Sequence, residues 1–404
     1  MKLAITLLHK DATMYTHLPT IFNELLSFLP FKTFDSLVGQ HKVNRYRKNF
    51  SAKNLLLILL YAQITWKDSL RDIETSLSVH SNHYYHLGIQ STKRSTIAYN
   101  NSLCNYQVFE QTFYTLLQSI QSRFVNKDFS IYSLDATTIT VSLNLIPWAK
   151  YGKTKWAIKM HVLLNNQTLC PEVVRITDGK QADISVAKLL ELEEKLEAGS
   201  FIVFDRGYLD YRRYEKFSEK WIFFVARAKK NMDYLVDEER SIENKGIRWV
   251  QRDTVIEVFN PTGNPYKGKL RLVHYISPDD GNEYYFLTNN FEITPENVAL
   301  FYKNRRKIEL FFKFIKQHLK IKSFLWTSEN AVRNKLWVAM IYYLIVSYIK
   351  FKTNVNQELL TLCRLLSEAL FLKLKIIDIL GLSPQNLKQI VQYERDWPIQ
   401  EPLF

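Results

Sequence analysis

Three acidic residues define the chemistry this chain can do. Asp135 follows the apolar run Ile131–Leu134, Asp205 follows Phe201–Phe204, and Glu309 stands among the basic and aromatic residues of a helical stretch. A carboxylate at the end of a buried apolar strand is costly to desolvate alone and needs a cation or a full set of donors. One such aspartate reads equally well as the cap of the following turn; two at equivalent places are harder to explain that way. Carboxylates are hard oxygen ligands that suit Mg²⁺ or Mn²⁺ better than histidine or cysteine would. A trio holding two such ions can support in-line displacement at phosphorus, activating the attacking oxygen and stabilising the leaving one.

The surroundings of the third acid sharpen this reading. Tyr302, Arg305, Glu309 and Lys316 follow at spacings of three, four and seven, which fall within an arc of about 60° on one helix. Phe301, Ile308, Phe312, Ile315 and Leu319 occupy the neighbouring arc and would pack on a core. A purely solvated face would balance its signs, whereas residues 299–352 hold twelve Lys/Arg against two Glu. Residues 1–128 hold fourteen against eight, and the chain carries +14 in all. Basic charge gathered in two zones fits a polyanionic partner. Lys42, Arg45, Arg47, Lys48 and Lys53 form one basic run, read either as a solvated loop or as a contact to phosphates.

The elements that must position these residues follow from periodicity. Residues 15 to about 125 are expected to be helical, with Asp68-Ser69 and Arg94-Ser95-Thr96 as helix starts. From residue 129, short β-branched and aromatic runs alternate with turns such as Asn165-Asn166 and Asp178-Gly179. Three strands, an amphipathic helix over Ile184–Leu196 and a fourth strand at Phe201 are the order of a ribonuclease-H-like core. Strands resume over 222–292, and Thr294-Pro295-Glu296 opens a helical stretch to about 380. His161, on a core strand, is read first as a core histidine and second as a neighbour of the acids. Cys104, Cys170 and Cys363 are widely spaced and read as reduced core residues, neither disulfide nor zinc ligands. The apolar stretch Leu336–Ile349 is shorter than the ~20 residues of a bilayer span and reads as a buried helix, so no membrane partner is expected.

These residues carry a family resemblance. Tyr302, Arg305, Glu309 and Lys316 resemble the Y-R-E-K signature of DDE transposases of the insertion-sequence-4 family of bacterial insertion sequences. Asp135-Ala-Thr-Thr-Ile and Val203-Phe-Asp205-Arg-Gly-Tyr-x-Asp210 resemble its two aspartate motifs, and likeness extends through Asp68–Glu74, Lys93–Thr96 and Thr327–Val332. Ala136 and Trp326 depart from the pattern, where Ser and Gly are expected.

The resemblance implies an α/β (α+β) fold: a ribonuclease-H-like catalytic core interrupted by a β-rich insertion, with helical regions at both ends. The expected parts are a DNA-binding helical domain over 1–125, the core over 126–221 and 293–352, the insertion over 222–292, and a helical region over 353–404. It implies Asp135, Asp205 and Glu309 as catalytic metal ligands for two Mg²⁺ (or Mn²⁺) ions. Tyr302, Arg305, Lys316 and Arg206 would meet the DNA backbone. Trp249, one of eight tryptophans, is read first as a buried core residue and second as a ring that stacks on an unpaired base. The expected partners are double-stranded DNA, as inverted-repeat ends and target, and a second copy of the chain in a synaptic complex. The expected setting is the bacterial cytoplasm, at the nucleoid. Two other readings stay open: a transposase-derived DNA-binding protein that no longer catalyses, and a Mg²⁺ nuclease that cuts without joining.

Overall fold

The computed structural model describes residues 19–381 except 46, 48, 85–87, 90, 123–129, 142–149, 152–154, 179–190, 209, 230–231, 243–248, 260–265, 267 and 320–327. Among the described residues six α-helices come first: α1 (Ile21–Leu26), α2 (Phe31–Gln40), α3 (Ala52–Ile64), α4 (Leu70–Val79), α5 (Arg94–Leu103) and α6 (Gln107–Gln121). The middle holds β1 (Ile131–Val141), β2 (Lys150–Tyr151), β3 (Lys155–Asn165), β4 (Pro171–Asp178), α7 (Leu192–Lys195), β5 (Phe201–Phe204), α8 (Tyr211–Glu219) and β6 (Phe223–Arg227). Four more strands follow: β7 (Tyr234–Glu239), β8 (Val250–Val258), β9 (Leu270–Ile276) and β10 (Glu283–Thr288). The last elements are α9 (Pro295–Lys303), α10 (Arg306–Leu319), α11 (Glu329–Thr353), α12 (Leu359–Glu368) and α13 (Ile376–Leu380).

The chain divides into two compact units. One joins residues 1–123 with 317–404, and the other is 124–316. In the helical unit α3 and α11 are apolar all round, the pattern of helices surrounded by others. Leu55–Ile64 is buried throughout, and α11 buries almost every residue from Leu336 to Ile349 against α3, α5, α6 and α12. By length and composition α11 could cross a membrane, but most of it lies inside its own unit. Polar pins fix it there: Asn334 Nδ2 donates to the Asn101 and Cys104 carbonyls and to Asn101 Oδ1, at 2.9–3.2 Å. The first and last described segments also meet in this unit, where the Ile21 and Phe22 amides donate to the Leu372 and Leu370 carbonyls.

Several local expectations are refined. Ser69 caps α4 in a reciprocal capping box with Asp72. Helix α5 instead starts after Lys93 without a side-chain cap, so Ser95 and Thr96 lie inside it. In the basic run, Arg47 donates to the Asn100 carbonyl, and Lys53, though exposed, lies 4.6 Å from the Phe31 ring centroid. The expected helix start at Ile184 lies outside the described residues; its end is seen as α7. All three cysteines are buried and free, with thiol pKa values pushed by burial to about 11 (Cys104) and about 12 (Cys170, Cys363).

The second unit is built on one ten-stranded sheet, ordered β2-β3-β1-β5-β6-β10-β9-β8-β7 with β4 also paired to β3. Strands β4, β3 and β1 are antiparallel, and β1, β5 and β6 are parallel. Five strands in the order β4-β3-β1-β5-β6 form the ribonuclease-H-like sheet. Two expectations change here. The run at 222–226, placed in the insertion by sequence, is the fifth core strand, hydrogen-bonded in parallel to β5. The strands after it then continue the same sheet through β10–β6 pairing.

Period-two alternation divides this sheet into two faces. Leu134, Ile202, Phe204, Phe224 and Ala226 pack with Tyr214 and Phe217 of α8. Ile131, Phe201, Val203 and Val225 point the other way and pack with Val298, Ala299 and Phe301 of α9. Asp135 and Asp205 continue this second series.

Candidate active site

The last register pair between β1 and β5 is Leu134↔Phe204. Asp135 and Asp205 come one residue later on neighbouring strands, on the face covered by α9. Asp205 ends its strand, as expected. Asp135 does not, because β1 runs on to Val141 through a β-branched stretch, Thr137-Thr138-Ile139-Thr140-Val141, that favours extended backbone. Across from it, Ala136 is paired with His161. Paired residues share a face, so His161 points away from the acids. It is fully buried with Nε2 3.2 Å from Thr177 Oγ1, as a core histidine.

The third acid arrives on a bent rod. Thr294 caps α9 by accepting from the Asn297 amide, and Pro295 occupies its first turn, where no amide donor is needed. The sequence predicts one continuous helix from Tyr302 to Lys316; instead α9 ends at Lys303 and α10 begins at Arg306. Across the join the amides of Arg305, Lys307 and Ile308 donate to carbonyls three residues back, at 2.9–3.1 Å. This 3₁₀-like tightening places Tyr302 on α9, Arg305 in the turn and Glu309 on the first turns of α10. Lys307 then pins α10 to the sheet: its ammonium, with pKa lowered by partial desolvation, donates to the Asn166 carbonyl in the β3–β4 turn at 3.0 Å.

Arg305 sits at the centre of the group. Its Nη1 donates to Asp135 Oδ2 at 2.9 Å and its Nη2 to Glu309 Oε1. The Tyr302 hydroxyl donates to Asp205 Oδ1 over 3.5 Å, and the Tyr302 ring packs on Phe286 with centroids 4.7 Å apart. Two backbone amides complete the arrangement, Ala136 to Asp135 Oδ1 at 2.7 Å and Arg206 to Asp205 Oδ1 at 2.8 Å.

The electrostatics follow from this crowding. Burial pushes the Asp135 carboxyl up to about 6; the Ala136 amide and Arg305 oppose the rise, and the negative charges of Asp205 and Glu309 add to it. Burial also raises the Tyr302 hydroxyl to about 12, with Asp205 contributing. For Arg305 burial works against the charge, yet Tyr302, Glu309, Asp135 and Asp205 outweigh it and hold the pKa above the ordinary arginine value.

Whether such a site suits a divalent cation is answered by its donors. Three carboxylates come from three separate elements, close enough that two of them raise the pKa of the third, and one cation, Arg305, is already held among them. Among the described residues no group of three or more His, Cys, Asp or Glu side chains is arranged, as it stands, to hold a metal ion. The set fits a hard cation in charge and chemistry, with Arg305 interposed.

A cleft of about 720 Å³ opens beside the acids, lined by Trp249, Tyr275, Tyr284, Phe286 and Lys303 and reaching Tyr302, Arg305 and Glu309. Trp249 is half-exposed in its wall, and Arg206 is exposed on the turn after Asp205. Lys316 is exposed on α10, seven residues and about 10 Å of rise beyond Glu309. Trp326 lies outside the described residues.

One feature of the site's support is invisible in the sequence. Arg271 on β9 and Asp253 on β8 form a buried two-pronged ion pair, Nε to Oδ1 at 2.8 Å and Nη2 to Oδ2 at 2.7 Å. The remaining nitrogen, Nη1, donates to the carbonyls of Ile293 at 2.6 Å and Asn290 at 3.3 Å. These carbonyls belong to the loop that enters α9, so strands of the insertion hold the helix that delivers Tyr302.

Comparison with known proteins agrees with this architecture. Residues 126–345 match the family model described as Transposase DDE domain, and residues 17–90 match a domain of unknown function (DUF4372). A Sinorhizobium fredii protein named as transposase y4zB is 30% identical over 283 residues, 69% of this chain and 78% of its own. A Geobacillus stearothermophilus protein named as a transposase for insertion sequence element IS5377 is 25% identical over 360 residues, 87% of this chain and 90% of its own. Among solved structures, a piggyBac transposase synaptic complex with hairpin DNA is similar at a TM-score of 0.44 and 13% identity, over 95% of this chain and 85% of that one. With more than half its length matched by that family model, the chain belongs to the transposase DDE domain family.

Proposed function

We propose that the protein is the transposase of an insertion sequence, which binds the element's inverted-repeat ends, cleaves them and joins the freed 3′-OH ends to target DNA. The observation that carries this reading is that Asp135 and Asp205 share one face of the sheet and Arg305 links Asp135 to Glu309 on α10, beside a cleft lined by aromatic residues and by charges of both signs. Two Mg²⁺ or Mn²⁺ ions held by these acids would supply activation of the attacking oxygen and stabilisation of the leaving one.

The chain's own residues do the rest. Arg305, Arg206 and Lys316 neutralise backbone phosphates and set the DNA in register. Tyr302, wedged between Phe286 and Asp205, keeps the second aspartate facing α9. Trp249 offers a face on which an unpaired terminal base stacks. The helical unit supplies basic surface for the element ends. Pairing two ends calls for two copies of the chain, so a homodimer on DNA is the working assembly.

The test is direct. The full-length protein is incubated with linear DNA bearing the element's own ends and a circular target, in Mg²⁺ or Mn²⁺. Cleavage at the ends followed by joined product supports the reading. Binding without cleavage favours a DNA-binding descendant, and cleavage without joining favours a nuclease.

A further inference from the structure

Arg305 is positioned to do more than meet phosphates. A guanidinium directs its hydrogens at the same carboxylate lone pairs that a divalent cation would take, and its own charge repels such a cation at short range. Here it bridges two of the three acids, through Asp135 Oδ2 at 2.9 Å and Glu309 Oε1, with its side chain only 19% exposed. The Tyr302 ring lies beneath it, 5.8 Å from the guanidinium carbon to the centroid. Arginine therefore competes with a metal for these oxygens.

We propose that Arg305 is a resident counter-ion that closes the metal site in the DNA-free protein and releases the acids when a DNA phosphate takes its guanidinium. The inference rests on reading the three acids as metal ligands and adds how that site is regulated. Three observations support it. Arg305 occupies the tightened turn between α9 and α10, so its backbone is outside both regular helices. It opens onto the cleft, where Arg306 also stands and Lys303 is held by Asp279, so an incoming phosphate reaches it from the solvent side. A phosphate matches the two-pronged guanidinium as well as a carboxylate does. Removing the arginine without such an exchange would leave a partly buried cation with no partner.

The consequence is coupling. If DNA withdraws the arginine, DNA raises the affinity for metal, and metal raises the affinity for DNA by the same factor. The acids would be loaded only at a bound phosphodiester, which guards against indiscriminate hydrolysis.

Mn²⁺ binding to the full-length protein, read from the electron paramagnetic resonance of free Mn²⁺, tests this without reference to activity. Arg305→Ala, and Arg305→Gln as a bulkier variant that retains hydrogen bonding, are compared with the unaltered protein. Each is measured with and without a duplex oligonucleotide and corrected for binding to the duplex alone. The expected result is Mn²⁺ binding at least tenfold tighter in both variants without DNA. The duplex should tighten binding to the unaltered protein and leave the variants nearly unchanged, a difference that a merely structural role would not produce. Equal Mn²⁺ affinities in all three proteins, with or without DNA, overturn the inference and leave the metal reading standing. Absence of site-bound Mn²⁺ in all three, even with DNA, overturns the metal reading and the inference with it.

Discussion

Asp135 and Asp205 stand side by side, one residue past the last register pair of two parallel strands. The same alternation that buries Ile131 and Val203 against α9 turns both carboxylates toward Glu309. Under the proposed function the three acids act as one unit, and groups acting as a unit lose activity together. Asp135→Ala, Asp205→Ala and Glu309→Ala are each expected to lower cleavage of element ends at least a thousandfold while DNA binding in a gel-shift assay stays within a fewfold. Cleavage persisting in any of the three removes that residue from the metal site.

The raised pKa of Asp135 has a measurable effect on stability. With a folded value of about 6 against an unfolded value of about 3.9, the folded protein holds this proton more tightly than the unfolded chain. The resulting stability is fully present below about pH 4 and is lost as pH rises through about 6. An amide in place of this carboxyl would not titrate, so Asp135→Asn in EDTA should stabilise the protein at pH 7.5 by about 1–3 kcal/mol and lose that gain near pH 4. Urea denaturation at the two pH values reads it; a variant less stable at pH 7.5 contradicts the burial argument.

Breaking the Arg271–Asp253 pair should be more damaging than its distance from the acids suggests. Arg271→Ala leaves a buried carboxylate and the Ile293 and Asn290 carbonyls without their donor, a loss of about 3–5 kcal/mol. A double variant, Asp253→Leu with Arg271→Met, should recover part of it, because no charge is then stranded. Chemical denaturation of the single and double variants decides the matter, and additive losses would show that the pairing is not the source.

For Trp249 the expectation separates ring from bulk. Trp249→Ala should weaken binding of a DNA end with an unpaired terminal base by about 1–3 kcal/mol, and Trp249→Phe should restore most of it. Fluorescence of 2-aminopurine at that base reports stacking directly. An Ala variant that quenches the probe as strongly as the natural protein rules out the stack.

How far the sequence discloses this arrangement depends on the range of the interaction. Asp205 is legible because its strand is four apolar residues closed by an Arg-Gly turn. Asp135 is recognisable as an acid after an apolar run but not as a mid-strand residue, since the polar threonines after it hide a strand that continues. The break at Asn304-Arg305 carries neither proline nor glycine, so the helical pattern runs through it unmarked. Strand β7 escapes notice because all six of its residues are exposed and it shows no alternation. Arg271 and Asp253 are eighteen residues apart and meet only through strand pairing, a relation that no local pattern encodes. The same holds for Lys307, whose partner is the Asn166 carbonyl, far away in the chain.

The continuity of the sheet from β4 to β7 bears on how such enzymes can be altered. Because β10 is hydrogen-bonded to the fifth core strand and Arg271 ties β9 to the entry of α9, the appended strands are not a detachable cartridge. Swapping them for those of a relative would alter the footing of Tyr302 and Arg305, so chimaeras should move the second unit as one piece together with the whole of α10.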